Sequence, residues 1–317
     1  MADTILVTGG AGFIGSHLCE RLLTLGHKVL NLDNFNDYYD SKIKEQNIKK
    51  ALQHENYRLY RGDIRDNAIL LDIFSSYEIQ HVIHLAAMAG IRNSLKDPLE
   101  YIDVDIKGTV NLLENARKCN VSKFVFASSS SVYGINSKVP FSESDQVELQ
   151  ISPYATAKRA GELYCKTYHH LYGMSIACLR FFTVYGSRQR PEMAIHSFTG
   201  LIDKGKEIPV FGDGSSRRDY TYIDDIIDGI LASMTVEYGF EIFNLGNSET
   251  ITLRELISLI EKMIGKEAEI KFLPEQKGDV PITYADVSYS NSKLKYNPKV
   301  KIEEGIKRFV KWYKDHY

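Results

Sequence analysis

Tyr154 and Lys158 stand four residues apart in a stretch, 152–172, with the apolar period of a helix, so both side chains fall on one helix face. A free phenol ionises near pH ~10 and is a poor base at neutral pH; a neighbouring ammonium stabilises the phenolate and brings it toward the working range. Upstream, Ser128-Ser-Ser-Ser131 follows the apolar run Phe124-Val-Phe126. A serine hydroxyl at the end of such a strand can hold the oxygen that gains or loses the proton. Together these residues point to proton transfer at a hydroxyl or carbonyl. Tyr-x-x-x-Lys alone equally describes a surface pair, so its meaning depends on what precedes it.

What precedes it is Thr4-Ile-Leu-Val-Thr-Gly-Gly-Ala-Gly-Phe-Ile-Gly15. Ile5, Leu6 and Val7 suit a strand buried on both faces of a parallel sheet. Gly10, Gly12 and Gly15 spell G-x-G-x-x-G, with Gly9 just ahead. Leu18, Leu22 and Leu25 then carry a helical period, which Gly26 ends. A turn without β-carbons lets a pyrophosphate reach the amides at the helix N-terminus, where the dipole favours negative charge. The next apolar run, 28–32, ends in Asp33, 18 residues after Gly15. An acid there accepts hydrogen bonds from an adenosine ribose diol and repels a ribose phosphate. No arginine follows at once, so the cofactor expected is NAD, not NADP.

These motifs require a scaffold of alternating strands and helices, and the chain supplies one. Strands are expected at 57–62, 81–85, 124–126 and 176–182, and helices at 67–75, 97–118 and 152–172. That alternation implies an α/β fold with a doubly wound parallel (Rossmann) sheet, its ligands at the carboxyl ends of the strands. After 182 the texture turns irregular and arginine-rich, with helices expected at 224–234, 252–264 and 302–313. We expect a smaller, interleaved α+β substrate lobe formed by 183–215 and 251–317. The cofactor domain is then 1–182 plus a returning segment of about 216–250, with 242–245 as a strand of the main sheet.

The 317 residues suffice for two such lobes. A net charge of −2 gives no reason to expect nucleic acid or an anionic membrane as partner. Met1-Ala-Asp-Thr runs directly into the first strand, leaving no room for a signal peptide, so a cytoplasmic location is expected. Cys19, Cys119, Cys165 and Cys178 lack paired spacing and read as small buried hydrophobes in a reducing compartment. The adjacent His169 and His170 point in different directions on a helix, and no metal site is expected.

Gly9-x-x-Gly12-x-x-Gly15, Asp63-Ile64, Ser129 and Tyr154-x-x-x-Lys158 together resemble the extended short-chain dehydrogenase/reductase superfamily, over essentially the whole chain. Within it, Asn31-Leu-Asp-Asn-Phe-Asn-Asp-Tyr-Tyr-Asp40, Phe181-Phe-Thr-Val-Tyr-Gly186 and Arg190-Pro-Glu-Met-Ala194 look like the nucleotide-sugar 4-epimerases, in particular the UDP-glucuronate 4-epimerase group. The resemblance implies a tightly held NAD contacted by Gly9, Gly12, Phe13, Ile14, Gly15, Asp33, Asn34, Asp63, Ile64, Leu85, Ala86, Ala87, Tyr154 and Lys158. It implies a UDP-hexose inverted at C4 through a transient 4-keto sugar, with Tyr154 as base and acid and Ser129 on the 4-oxygen. Ser130, Ser131, Thr183, Val210, Gln276 and Asp279 would line the substrate site, and Arg218 would grip the diphosphate. A homodimer through the helices 97–118 and 152–172 is also implied.

Several positions depart from the family pattern. Thr183 replaces a substrate-loop Asn, Gln276 a second diphosphate arginine, and Asp105 an Asn. Arg190 matches an arginine near the sugar C6, whose planar fork suits a carboxylate. Thr283 occupies a gate where a small residue leaves room for an N-acetyl group. The sugar therefore stays open between UDP-glucuronate and UDP-N-acetylglucosamine pairs. A dehydratase would want Asp-Glu at positions 130 and 131, and a decarboxylase Glu at 131; this chain has serine at both. A non-catalytic NAD-binding regulatory protein is the reading from another class, and the intact Ser129, Tyr154 and Lys158 set argues against it.

Overall fold

The apolar runs pair into one seven-stranded parallel sheet, seen in a computed structural model that describes residues 2–276 and 278–317; Met1, quoted above, lies outside them. Its strands are β1 (Thr4–Thr8), β2 (Lys28–Asp33), β3 (Tyr57–Arg61), β4 (His81–His84), β5 (Lys123–Ser129), β6 (Ile176–Phe181) and a last one at Phe240–Leu245. They lie in the order Phe240–Leu245, β6, β5, β4, β1, β2, β3, and the last strand adds beside β6 in parallel. The winding reverses between β1 and β4. At such a switch point the loops leaving the two strands diverge and open a crevice at their carboxyl ends.

Side chains alternate across this sheet, and each face buries its own core. Ile5 and Val7 of β1 join one apolar cluster with Leu18 and Leu22 of the helix α1 (Phe13–Thr24). Leu6 joins the other, with Leu30, Val82, Phe124 and Phe126. Ile5, Leu6 and Val7 are all wholly buried. Each such side chain contributes about 1.5–3 kcal/mol relative to exposure.

The helix Pro153–Tyr172 begins as its sequence requires: Ser152 Oγ accepts from the Ala155 N–H at 3.1 Å, and Pro153 takes the first turn. Gly173, at φ +69°, ends it. The expected helix over 97–118 is instead broken. Asp97 caps a short helix, Pro98–Tyr101, by accepting from the Glu100 N–H at 3.2 Å. A π-helical turn, Ile102–Lys107, and a regular helix, Gly108–Lys118, follow. The π turn inserts extra backbone and brings Val104 and Asp105 inward together, which an even 3.6-residue period hides. Cys119, expected buried, caps that last helix and is exposed.

Beyond β6 the described residues make three two-stranded ladders, Thr183–Tyr185 with Tyr220–Tyr222, Arg217–Arg218 with Ile251–Thr252, and Ile208–Phe211 with Ile270–Leu273. Among the described residues no helix is long and apolar enough to cross a membrane.

The first turn has no slack. A β-carbon on Gly15 would sit 2.2 Å from Gly9 O and 2.7 Å from Gly10 Cα, both backbone. Gly15→Ala should therefore lower stability by about 1–3 kcal/mol, read as a lower thermal midpoint; an unchanged melt would mean that the turn relaxes freely.

Candidate active site

The glycine turn is held from beneath by the second strand. Asn31 is wholly buried, accepts from the Gly10 N–H at 2.9 Å and donates to the Tyr57 hydroxyl at 2.7 Å. Asp33 Oδ2 accepts from the Ala11 N–H and its Oδ1 from the Phe35 N–H, both at 2.9 Å. Gly9 adopts φ +72°, and a β-carbon there would lie 2.8 Å from Ala86 N, so β1 and the loop after β4 close tightly. No side chain caps the first turn of α1. Its amides, the glycine cradle and the buried Asp33 thus fit the pyrophosphate and ribose of a dinucleotide.

These residues open into a cleft of about 860 Å³ that also takes in Phe13, Ile14, Asn34, Ile64, Leu85, Ala86 and Ala87. Asp63 does not line it. Its carboxylate is committed to Arg65 Nη2 and Asn34 Nδ2, both at 2.9 Å. Burial works against that charge, but the hydrogen bonds from Arg65 and Asn34 outweigh it and hold the carboxyl down to about 2.

At the cleft's centre β5 ends in the serine run, and strand alternation divides its labour. Ser128 turns into the core and donates to Glu162 Oε1 at 2.7 Å. Ser129 faces the cleft, where its Oγ accepts from the Ser131 N–H at 3.2 Å and the Ser131 hydroxyl at 2.9 Å. With both donors pointing at it, the Ser129 proton is left for another acceptor. Tyr154 and Lys158 enter from the first turns of Pro153–Tyr172. Lys158 Nζ lies 6.0 Å from the Tyr154 ring centroid and 5.2 Å from that of Phe126. The ammonium is nearly buried, and Asp105 Oδ2 is 3.9 Å away.

Behind this surface Glu162 takes both Arg180 Nε at 2.8 Å and Nη2 at 2.9 Å, with all three side chains of the Ser128–Glu162–Arg180 set buried. Burial opposes the Glu162 charge, yet the Arg180 bonds and field overcome it and hold the carboxyl below its ordinary range. This ion pair ties β5, β6 and the long helix together behind the serines.

On the far side stand Ser130, Thr183, Arg190, Arg218, Asp279 and Thr283. Arg190 packs over the Tyr38 ring at 5.5 Å; its Nε is 2.8 Å from Glu192 Oε1 but not aligned for a hydrogen bond. Arg218 donates to the Arg217 carbonyl at 2.9 Å. Thr283 is buried, with its Oγ1 accepting from the Asp219 N–H at 3.4 Å. Two expected residues fall elsewhere. Val210 turns into the buried apolar cluster that also holds Ile5 and Val7, because alternation on Ile208–Phe211 sends Pro209 and Phe211 to the cleft instead. Gln276 also does not line the cleft, and among the described residues its buried Oε1 has no hydrogen-bond partner.

Sequence reasoning missed Arg92, which lines the cleft with its guanidinium over the Phe211 ring at 4.5 Å. It also missed Lys44, whose ammonium donates to Asn36 O at 2.9 Å in the same cleft. Tyr38 sat inside a quoted motif, yet its contact with Arg190 spans two distant segments that no local pattern links.

Residues 5–246 match the family model described as NAD dependent epimerase/dehydratase family. A UDP-glucuronate 4-epimerase of Thermodesulfobacterium geofontis is 46% identical over 312 residues, spanning 98% of this chain and 96% of that protein. The structure of UDP-glucuronic acid 4-epimerase from Bacillus cereus, in complex with UDP-glucuronic acid and NAD, matches with a TM-score of 0.93 at 38% identity, over 99% of this chain and 100% of that one. A UDP-N-acetylglucosamine 4-epimerase from Methanobrevibacter ruminantium, in complex with UDP-N-acetylmuramic acid, gives 0.92 at 32% identity, over 100% of this chain and 99% of that one.

Proposed function

The chain belongs to the NAD dependent epimerase/dehydratase family, and from that premise we propose that it interconverts UDP-glucuronate and UDP-galacturonate by inversion at C4. It is an NAD-dependent UDP-sugar 4-epimerase with an extended short-chain dehydrogenase/reductase fold. NAD, when bound, takes up and returns the hydrogen of C4 with its electron pair. Gly9, Gly12, Gly15 and the α1 amides would hold its pyrophosphate, Asp33 its adenosine ribose, and Lys158 the nicotinamide ribose.

Tyr154 takes the proton of the sugar 4-hydroxyl and gives it back to the 4-oxygen after the planar 4-keto sugar has turned over. Lys158 lies on the same helix face, its Nζ 6.0 Å from the Tyr154 ring centroid. Ser129 donates its free proton to the 4-oxygen and keeps it in place. Ser130 and Ser131 lack the carboxylates that removal of water would use, so the keto sugar is only reduced again. Arg218 and Arg92 supply the cations for the diphosphate.

The observation that carries the sugar assignment is Arg190. Its guanidinium lines the cleft over the Tyr38 ring at 5.5 Å, with the Glu192 carboxylate beside its Nε. A hexuronate carboxylate matches that fork. UDP-N-acetylglucosamine is the second reading, favoured by the small Thr283 on the cleft wall.

The unpaired cysteines suit a cytoplasmic enzyme. We read the chain as a homodimer, supported by Leu99, Ile102, Leu163 and Tyr172, apolar and exposed on the helical segments flanking the cleft. Light scattering should give twice the 36.1 kDa chain mass; a monomer would refute that reading.

Incubation with UDP-glucuronate, UDP-N-acetylglucosamine and UDP-glucose separately, with products resolved by NMR, tests the rest. UDP-galacturonate is expected from the first. Arg190→Ala should weaken that substrate selectively, by roughly ten- to a hundredfold for the loss of ~1.5–3 kcal/mol of charge-assisted bonding. Equal loss for all three sugars would remove Arg190 from recognition. Tyr154→Phe should cost on the order of 10²–10⁴-fold in turnover with the fold intact.

A further inference from the structure

We infer that Arg188 is a positioning residue for sugar recognition: its ion pair with Glu20 on α1 fixes the turn from which Arg190 enters the cleft. The inference rests on the reading of Arg190 given above.

Residues Gly186 to Gln189 make a tight turn, closed by the Gln189 N–H donating to Gly186 O at 3.1 Å. Its third residue is Arg188, at φ +64°. Glycine or asparagine suits that position best, because a β-carbon is crowded there. Another residue stays in such a conformation only where its surroundings over-determine it, and such places cluster at functional sites. Glu20 supplies the hold on Arg188: Nη2 donates to Oε1 at 2.8 Å, across 168 residues of chain. Three residues earlier on the same face of α1, His17 Nε2 lies 2.9 Å from Ser187 O. A carbonyl only accepts, so that nitrogen carries the proton. Burial, with the Arg188 charge adding to it, lowers the His17 pKa to about 4 and keeps the ring neutral.

The far end of the turn is seated by other bonds. His196 Nδ1 lies within hydrogen-bond reach of Gln189 O, Gln189 Nε2 donates to Val184 O at 3.0 Å, and the Met193 N–H donates to Arg190 O at 3.1 Å. The α1 contacts seat its start. Gln189 and Arg190 line the cleft and Arg188 does not, so Arg188 acts through its neighbours and not on a ligand. Phe13, which lines the cofactor end of the cleft, meets the His17 ring edge-on at 6.0 Å. The brace therefore starts on the helix whose amides would hold the pyrophosphate.

The Arg188 and Glu20 side chains are 21% and 23% exposed. An ion pair with that access to water adds little stability. Its consequence is geometric.

Arg188→Gly removes the pair while giving the turn a residue its backbone favours, so the melting temperature should stay near that of the wild type. The holoenzyme's KM for UDP-glucuronate should rise about tenfold, short of the hundredfold that a displacement of about 1 Å can cost. Saturated kcat, and the inhibition constant of UDP, which lacks the sugar, should hold. Glu20→Ala, which leaves the turn's own sequence intact, should raise the same KM, and Arg188→Lys, which can still reach Glu20, should restore most of it. Adding Arg188→Gly to Arg190→Ala should raise KM no further, because the two act through one group. An unchanged KM in Arg188→Gly and Glu20→Ala overturns the inference, as does a KM that rises together with the UDP constant or climbs further in the Arg190→Ala background. Arg190→Ala keeps the two levels apart. If it leaves the KM for UDP-glucuronate unchanged, the reading of Arg190 fails and this inference with it; if it raises KM while the Arg188 and Glu20 variants do not, this inference alone fails.

Discussion

An ammonium taken almost out of water is the constraint on which the site depends. Lys158 is buried beside Phe126 and Tyr154, and taking an ion out of water costs several kcal/mol even after relaxation. The cost is tolerable only if neighbouring elements supply an anion, a ring face and a fixed geometry. Asp105 supplies the first, Phe126 the second, and the capped start of Pro153–Tyr172 the third.

The rest of the fold can be read as support for that arrangement. The sheet order places the divergence of β1 and β4 next to β5, so the cofactor cradle and the serines open on one crevice. The Glu162–Arg180 pair fastens the long helix to β5 and β6 one turn beyond Lys158, so helix and serines keep a common register. Replacing either partner would leave the other charged and buried, which is why such pairs hold geometry more than they add stability. Arg190, Arg218 and Thr283 line the same cleft from the segments beyond β6.

Much of this was legible because its signals are short-range. The strand, glycine turn and helix at Thr4–Thr8 and Phe13–Thr24, and the Ser152-Pro153 start of the long helix, are written in neighbouring residues whose backbone demands are local. Asp33 was legible for the same reason, as the last residue of an apolar run. The π turn was not, because its extra backbone is stabilised by Met88 and by the Thr109–His84 chain, contacts made only after the sheet forms. The inward turn of the Val210 side chain was not legible, because the resemblance gave the segment but not the face of Ile208–Phe211 that turns inward. Arg92 and Tyr38 escaped notice because each acquires its meaning from an aromatic ring or a cation more than a hundred residues away.

The central claim is inversion at C4 with no net redox change and no exchange of the C4 hydrogen with water, since the cleft keeps the keto sugar until it is reduced. UDP-glucuronate deuterated at C4, turned over in ordinary water and followed by NMR, tests this directly. The account predicts UDP-galacturonate that retains the deuterium at C4. Washout of the label into solvent would contradict it, because the hydrogen would then have left as a proton.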